Sequence, residues 1–292
     1  MPTVLPEGSV QVQSLELFGQ DLQVATNGRI SPAIYPADSL FLTNGLLKAV
    51  QSGEVKLAAL PLDTMAAWGP LFEADSLPTL ASDFASARRL WGVLRKPLQE
   101  ELWSRDLILL FAAPQTPRGL LGPRNLRSAS DLSGLTLGGS TRLIDGIANY
   151  LGASPYRDSP RMLAEAYRSG RLDAAFLGAP EALRGAGEDS AFYPMNSWIP
   201  LTVVVAHEPT FETLTRSDQE ALRRAAEAAE EQAWAAGQAQ NAALIRLLQR
   251  DGLFLEAPAL RQRVSDAGRA AASDWLARAG LEGEALLRNF RN

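Results

Sequence analysis

Apolar positions recur first at helical and then at strand spacing along residues 10–113. A spacing of three or four residues predicts an amphipathic helix, and a short apolar or alternating run predicts a strand. These patterns predict helices at 10–25, 43–52 and 82–103, strands at 29–35, 55–62 and 106–113, and a loop at 66–78. Helices and strands that alternate in this way are typical of an α/β layer with a parallel sheet.

The second half of the chain continues this pattern and ends in helices. Residues 114–127 are rich in proline, glycine and arginine, and we interpret them as a loop that crosses into a second domain. The apolar run 201–205 is interpreted as the strand that returns. The other patterns predict strands near 135–137 and 172–177, a helix at 160–169, a short helix and loop at 179–187, a strand or turn at 253–256, and long helices at 217–248 and 258–278. Ser217 and Glu220 occupy capping-box positions for the first long helix.

Residues 131–155 read as a short strand, a turn of small residues and a helix. Gly138 and Gly139 let the backbone bend sharply or let a ligand approach closely. Ser140 or Thr141 can cap the helix that follows. Such a turn at a helix N-terminus is a place where α/β proteins hold ligands, and it is equally an ordinary connection between a strand and a helix.

These elements divide into two α/β domains joined by apolar crossing strands. We expect domain I to contain residues 1–112 and about 203–240, and domain II to contain residues 113–202 and parts of the helical tail 241–292. The long helix 217–248 is predicted to lie across both domains. Domains joined in this way can move about a hinge and close around a ligand.

Composition and charge exclude several classes of function. The chain has 292 residues and a formal net charge of −5, whereas binding to nucleic acid or to an anionic membrane needs a basic surface. There is no cysteine, and His207 is the single histidine, so a catalytic thiol and a histidine-rich metal site are excluded. No apolar run approaches the roughly 20 residues of a membrane span. We therefore expect no metal, no cofactor and no nucleic-acid partner.

Several short motifs occur in an order and at spacings that together indicate one family. A Gly-Arg strand, a Pro-x-x-Ser-Leu turn and a helix ending in Val-x-x-Gly occupy residues 26–58, and a Ser-Leu-Pro loop occupies 76–78. A Ser-x-x-Asp-Leu-x-Gly-Leu motif occupies 128–137, Leu-Gly-Ala-Ser-Pro occupies 151–155, and Ser-Gly-Arg-Leu-Asp-Ala occupies 169–174. Over nearly its whole length the chain resembles the solute-binding proteins of tripartite ATP-independent periplasmic (TRAP) transporters, of the dicarboxylate-binding type.

The resemblance implies a two-lobed α/β fold of the periplasmic-binding-protein type II class. It also implies a protein that captures a small organic solute, an organic acid or related metabolite, by hinge closure of its two lobes and delivers it to the small and large membrane subunits. We expect a monomer without catalytic residues and a periplasmic location. The opening residues MPTVLPEGS lack the basic and apolar regions of a secretion signal, so the signal peptide is expected to be missing from this sequence.

The resemblance also implies an arginine that binds the ligand's carboxylate, and here the chain departs from the family pattern. Gly138 occupies that position. Arg118 lies twenty residues earlier, at the spacing of a second arginine that resembles a ligand contact in some members. We therefore expect Arg118 to hold the anion, since arginine binds carboxylates in a bidentate geometry; Arg142 could also turn toward the ligand. The missing arginine suggests a ligand less acidic than the family norm, with an aromatic or aliphatic body.

Further contacts are expected from residues that follow strands or lie in loops beside the predicted cleft. The aspartate among them could bind an amine or hydroxyl group, or simply cap a helix. The aromatic residues offer flat apolar surface, or pack in the core. Beyond Arg118 and Gly138, the predicted ligand-binding residues are Asp63, Trp68, Ser140, Phe176, Asn196 and Trp198.

Two other classes of function were weighed against transport. An enzyme on the same scaffold is disfavoured, because the sequence has no Gly-x-Ser-x-Gly motif, phosphate loop or metal-ligand cluster. A ligand-sensing protein whose closed form docks on a receptor has no sequence feature that separates it from a transport protein.

Overall fold

The computed structural model describes residues 1–37, 39–41 and 43–291. Its helices are α1 (Val10–Ala25), α2 (Thr43–Gln51), α3 (Phe84–Trp103), α4 (Leu143–Leu151), α5 (Pro160–Arg168), α6 (Ala179–Gly185), α7 (Glu208–Glu212), α8 (Arg216–Arg250) and α9 (Pro258–Arg291). Its strands are β1 (Leu57–Pro61), β2 (Leu107–Pro114), β3 (Gly119–Pro123), β4 (Thr136–Gly139), β5 (Ser154–Arg157), β6 (Ala174–Leu177), β7 (Ser190–Tyr193) and β8 (Leu201–His207). Short 3-10 helices occur at Leu62–Trp68, Pro70–Ser76 and Ala129–Leu132.

The chain folds into two compact units, each with its own sheet. Unit 1 comprises residues 1–72, 91–115 and 201–238, and unit 2 comprises residues 73–90, 116–200 and 239–292. Two of the boundaries fall inside α3 and α8, so each of these helices contributes residues to both units.

The sheet of unit 1 has the strand order β1–β8–β2, and β8 runs antiparallel to both neighbours. Every residue of β2 is buried, as expected for an apolar strand covered on both faces. The apolar core that covers this sheet includes Phe18 of α1, Phe111 of β2 and Ala225 of α8. The Phe18 and Phe111 rings lie 5.5 Å apart, so α1 packs directly on the central part of the sheet.

The prediction of a parallel sheet is wrong for unit 1. β1 and β2 run in the same direction, but β8 lies between them and is antiparallel to both. β8 enters this sheet only after the chain has passed through residues 116–200 of unit 2. The predicted strand at 29–35 is also wrong. That segment forms only an isolated bridge between Tyr35 and Pro2, and Pro32 within it lacks the N–H that a strand ladder needs.

A bulge in β2 is held by two charged side chains from α3 and α8. The register with β8 shifts between Leu109 and Phe111, and this leaves Leu110 as the extra residue. Arg95 Nη2 donates to the Leu110 carbonyl at 3.1 Å, and Glu230 Oε2 accepts from the Ala112 N–H at 3.0 Å. Arg95 and Glu230 are themselves paired at 2.9 Å, so backbone groups at the bulge find partners outside the ladder.

The sheet of unit 2 has the order β5–β4–β6–β3–β7. β4 is parallel to β5 and β6, whereas β3 is antiparallel to β6 and β7. The C-terminal ends of β4, β6 and β7 and the N-terminal end of β3 therefore lie along one edge, which we call the carboxyl edge of unit 2. An apolar core that includes Leu163 of α5, Ala182 of α6 and Leu248 of α8 packs against this sheet.

Strand β3 lies in the segment 114–127, which we predicted to be a loop, so that prediction is wrong. Its glycines mark close packing instead of a turn. A Cβ on Gly119 would overlap the Phe192 ring, and a Cβ on Gly122 would lie 2.9 Å from the Leu126 side chain. The glycines and prolines of this segment led to the prediction of a loop, because these residues usually interrupt strands.

The N-terminal cap of α8 lies two residues earlier than expected. Thr215 Oγ1 accepts from the Asp218 N–H at 3.2 Å and donates to the Asp218 carboxylate at 2.9 Å. Thr215 therefore replaces Ser217 as the cap. Asp218 also pairs with Arg29 at 2.7 Å, which ties the start of α8 to the chain that follows α1.

Other helices also differ from the prediction at their ends. α4 begins at Leu143 with Arg142 at the N-cap position, so the predicted cap at Ser140 or Thr141 is wrong. The segment 66–78, predicted as a loop, lies largely in two 3-10 helices. α9 continues past the predicted end to Arg291, with non-helical backbone at Gly280 (φ 55°).

Candidate functional site

The carboxyl edge of unit 2 gathers several of the predicted ligand-binding residues. Gly119 of β3 pairs with Leu177 of β6, so Arg118 lies beside the end of β6. Ser140 follows β4 directly, and Asn196 follows β7 after a short interval. Because open α/β sheets bind ligands outside the carboxyl ends of their strands, this edge is the candidate site within unit 2.

Arg118 is buried against the segment that follows β7. The residue is 4% exposed. Its backbone N–H donates to the Trp198 carbonyl at 2.9 Å, and its backbone carbonyl accepts from the Ser197 N–H at 3.1 Å. The Trp198 ring lies 5.4 Å from the Phe176 ring, and both aromatic residues are buried. The fold therefore brings three of the predicted residues into one buried group.

Two polar groups beside Arg118 are buried and have no hydrogen-bond partner among the described residues. They are the Ser197 hydroxyl and the Trp198 indole N–H. A buried polar group without a partner costs about 1–3 kcal/mol. The Trp91 indole shares this property elsewhere in the chain. The significant feature is that Ser197 and Trp198 are the two residues whose backbone is hydrogen-bonded to that of the buried Arg118 at the carboxyl edge. The Ser197 hydroxyl, the Trp198 indole N–H and the Arg118 guanidinium can all donate hydrogen bonds. Such a set suits a solute rich in acceptor atoms, such as a carboxylate.

Polar side chains also converge over Gly178, directly after β6. A Cβ on Gly178 would lie 3.0 Å from Arg118 Nη1 and 2.9 Å from Glu181 Oε2, and it would overlap Thr116 Oγ1. Glu181 is mostly buried and also accepts from Arg184 Nη2 at 2.8 Å. Thr116, Gly178 and Glu181 were not predicted from the sequence. The glycine that ends an apolar strand was the only available signal.

Gly138 lies in β4 and faces the apolar side of the sheet. A Cβ there would lie 2.7 Å from the side chain of Leu172 and 2.8 Å from that of Leu163. Two other predicted residues at this edge are less buried than Arg118. Ser140 is half-buried, and Asn196 is exposed with a left-handed backbone (φ 46°).

Asp63 and Trp68 belong to unit 1, where both lie in the 3-10 helix that follows β1. Both side chains are half-buried. The Trp68 ring makes an edge contact with Phe72 at 5.6 Å, and the Arg105 guanidinium lies 5.3 Å from the Trp68 ring centroid. The aromatic face of Trp68 therefore already has a cationic neighbour within its own unit.

Arg142, considered as an alternative anion contact, is paired with a buried carboxylate. Its Nε lies 3.7 Å from Glu73 Oε1, and Arg278 Nη2 lies 2.6 Å from Glu73 Oε2. The Glu73 side chain is fully buried. An arginine that compensates a buried charge is costly to withdraw, so the structure favours a structural role for Arg142.

Two kinds of feature are absent from the part of the chain that the structure describes. No group of three or more histidine, aspartate or glutamate residues there could hold a metal ion. None of the described helices combines the length and apolar character needed to cross a bilayer.

Two α/β units that share helices, with a buried arginine among hydrogen-bond donors at a carboxyl edge, are typical of the two-domain solute-binding proteins. The chain belongs to bacterial extracellular solute-binding protein family 7 (DctP), whose family model matches residues 1–275. The family predicted from the sequence motifs is therefore confirmed. The chain is a solute-binding protein of the TRAP type and not an enzyme.

Individual relatives show the same relationship. The chain is 24% identical to the sialic acid-binding periplasmic protein of Vibrio cholerae over 267 residues, which cover 87% of this chain and 80% of that protein. It is 26% identical to DctP6, an extracytoplasmic solute receptor of Bordetella pertussis that binds pyroglutamic acid, with a TM-score of 0.93 and coverage of 99% of this chain and 98% of the other. DctP7 of the same organism also binds pyroglutamic acid and is 25% identical, with a TM-score of 0.94 and coverage of 100% and 98%. These superpositions confirm the predicted fold class.

Proposed function

We propose that this protein captures a small organic acid in the periplasm through Arg118 and delivers it to the small and large membrane subunits of a TRAP transporter. The family is extracellular, and relatives bind pyroglutamic acid and sialic acid, both of which carry one carboxylate. Delivery is testable by co-expression with the two membrane subunits and measurement of solute uptake, which should require this protein.

The observation that carries the proposal is the buried Arg118, whose backbone pairs with Ser197 and Trp198. The buried side-chain donors of those two residues have no hydrogen-bond partner among the described residues. A carboxylate can accept from the guanidinium in a bidentate geometry. Further acceptor atoms of the solute would then satisfy the Ser197 hydroxyl and the Trp198 indole. The Phe176 and Trp198 rings add apolar surface for the body of the solute. Asp63, Trp68, Ser140 and Asn196 stay predicted contacts.

Binding in this scheme needs no chemistry on the solute. The solute stabilises whichever conformation of the protein binds it more tightly. The change in the free-energy difference between the two conformations is limited by the difference in the solute's binding free energy for them. Hinge closure remains a prediction of the sequence analysis. An ion gradient at the membrane subunits, as the family resemblance implies, would drive uptake.

The test is a thermal-shift and calorimetric screen of protein that has been unfolded and refolded to remove carried-over solute. The panel contains pyroglutamate, uronates, sialic acid, other monocarboxylates, dicarboxylates and neutral amides. A ligand at 100 times its dissociation constant should stabilise the protein by about 2.7 kcal/mol, or several degrees.

Arg118→Ala is the diagnostic variant, and Arg171→Ala, which removes an exposed arginine of the same unit, is its control. Truncating one partner of a buried charged pair costs about 2–5 kcal/mol, so we expect Arg118→Ala to weaken binding about 30-fold or more. Full affinity in Arg118→Ala would contradict the proposed anion site. No binding by any acid of the panel would contradict the proposed function itself.

A further inference from the structure

Space, not backbone conformation, explains the glycine at position 178. Gly178 has φ −76°, which any residue can adopt. A Cβ would instead press on Arg118 Nη1 and Glu181 Oε2, at 3.0 and 2.9 Å, and on Thr116. Thr116 and Arg118 are more than nine-tenths buried. The absent side chain therefore allows a guanidinium, a carboxylate and a hydroxyl to meet at the end of β6.

The carboxylate of Glu181 places a fixed negative charge beside the proposed anion site. Its Oε1 is paired with Arg184 at 2.8 Å, and its side chain is 13% exposed while that of Arg184 is 50% exposed. A mostly buried carboxylate acts on its neighbours with less solvent screening than an exposed one. Glu181 repels every solute carboxylate that comes near it. The guanidinium of Arg118 offsets this repulsion for the one carboxylate that it binds, whereas a second carboxylate would not share that compensation.

Two other arginines near the ends of β4 and β5 already have acidic partners. Arg142 is paired with Glu73, and Arg157 is paired with Asp145 at 3.5 Å. The charges of Arg142 and Arg157 are thus compensated by carboxylates. The charge at the carboxyl edge of unit 2 therefore favours a single negative charge on the solute.

We propose that Glu181, accommodated by Gly178, is a specificity-determining residue that orients Arg118 and restricts the site to solutes with one carboxylate. This inference rests on the proposed function, because it concerns the same site. Glu181 excludes a second carboxylate by charge, and Gly178 leaves the space in which Arg118 keeps its place.

The experiment measures by calorimetry the binding of pyroglutamate and of a matched pair, succinamate and succinate, which differ by one amide in place of one carboxylate. The variants are Glu181→Gln, which removes the charge and keeps the shape, and Gly178→Ala. Glu188→Gln, an exposed glutamate of the same unit, is the control. Melting temperatures verify that each variant folds.

We expect the wild type and Glu188→Gln to bind succinamate at least about tenfold more tightly than succinate. Glu181→Gln should reduce that ratio about tenfold, mainly by improving succinate binding. Gly178→Ala should weaken all three acids about tenfold or more. An unchanged ratio in Glu181→Gln, or a wild type that prefers succinate, would overturn the inference and leave the proposed function standing. A wild type that binds no acid of the wider panel would instead overturn the proposed function, and this inference with it.

Discussion

Gly138 illustrates how the direction of one Cα–Cβ bond limits what a position can do. The family resemblance assigns a ligand-binding arginine to this position. In this chain the Cβ would point at Leu163 and Leu172, which belong to the apolar core of unit 2. Any side chain here must therefore displace core methyl groups before it can reach a ligand.

We predict that Gly138→Ala destabilises the protein. Its Cβ would meet two leucine side chains at 2.7 and 2.8 Å, and overpacking of a well-packed core typically costs about 1–3 kcal/mol. Gly92→Ala is the matched control, because Gly92 is an exposed helical glycine with no atom within 4 Å of its Cβ position. That control should be neutral or stabilising by up to about 1 kcal/mol. Equal effects of the two substitutions in urea unfolding would show that space at position 138 is not limiting.

The sequence identified some site residues and could not identify others. Arg118 was found through its spacing from Gly138. Glu181 and Thr116 lie far apart in the chain, and they meet over Gly178 only because β3 is antiparallel to β6. Spacing along the chain carries no information about that pairing, since β3 itself was not predicted.

At the scale of elements, the β2 bulge shows how helices can satisfy a sheet. The carbonyl of Leu110 and the N–H of Ala112 bond to Arg95 of α3 and Glu230 of α8. Glu230 lies in a helix rich in charged residues, but its side chain is only 6% exposed. The charge is retained in the interior because it completes the hydrogen bonds of a backbone irregularity.

We predict that Glu230→Ala lowers the free energy of unfolding by about 2 kcal/mol, because it leaves a buried N–H unpartnered and removes the anion that faces Arg95. The partial exposure of Arg95 keeps the loss below that of a fully buried pair. Glu227→Ala, an exposed glutamate one turn earlier in α8, should change stability by less than about 0.5 kcal/mol. Denaturant unfolding measures both, and a Glu230→Ala variant as stable as Glu227→Ala would contradict the role assigned to the bulge.

Elements were predicted well where apolar periodicity was long, as in α1, α3 and α8. Short strands with glycine or proline were predicted poorly, as in β3, because their packing and not their composition determines them. The sheet of unit 1 was predicted with the wrong strand direction, since no local pattern indicates that a strand 140 residues later will insert between β1 and β2.

For the whole molecule, stability should depend on pH through a few aspartates that are hydrogen-bonded in the folded state. The side chain and charge of Arg29, together with Thr215, lower the pKa of Asp218. Hydrogen bonds from Ser86 lower the pKa of Asp83, and those from the Arg127 and Ser128 N–H groups lower the pKa of Asp131. A carboxyl group with a lowered pKa stabilises the folded state most when it is ionised.

We predict that the melting temperature falls as the pH drops below about 4. The contribution of each aspartate is fully present above its unfolded pKa of about 3.9 and is lost as the pH falls through its lower folded value. Asp218→Asn should lower the melting temperature at pH 7 and flatten the decline between about pH 5 and pH 2. Asp21→Asn, which removes an exposed aspartate of α1, should keep the wild-type profile. An unchanged acid profile in Asp218→Asn would contradict the contribution assigned to its pair with Arg29.

The insertion of β8 between β1 and β2 also constrains the order in which a newly made chain can mature. Both strands emerge early during synthesis, yet the hydrogen-bonding edges that face β8 stay open until residues 201–207 have been made. Unpaired strand edges are templates for aggregation, and pairings between distant segments form slowly. A nascent chain of this protein therefore completes the sheet of unit 1 only when its last third is being made.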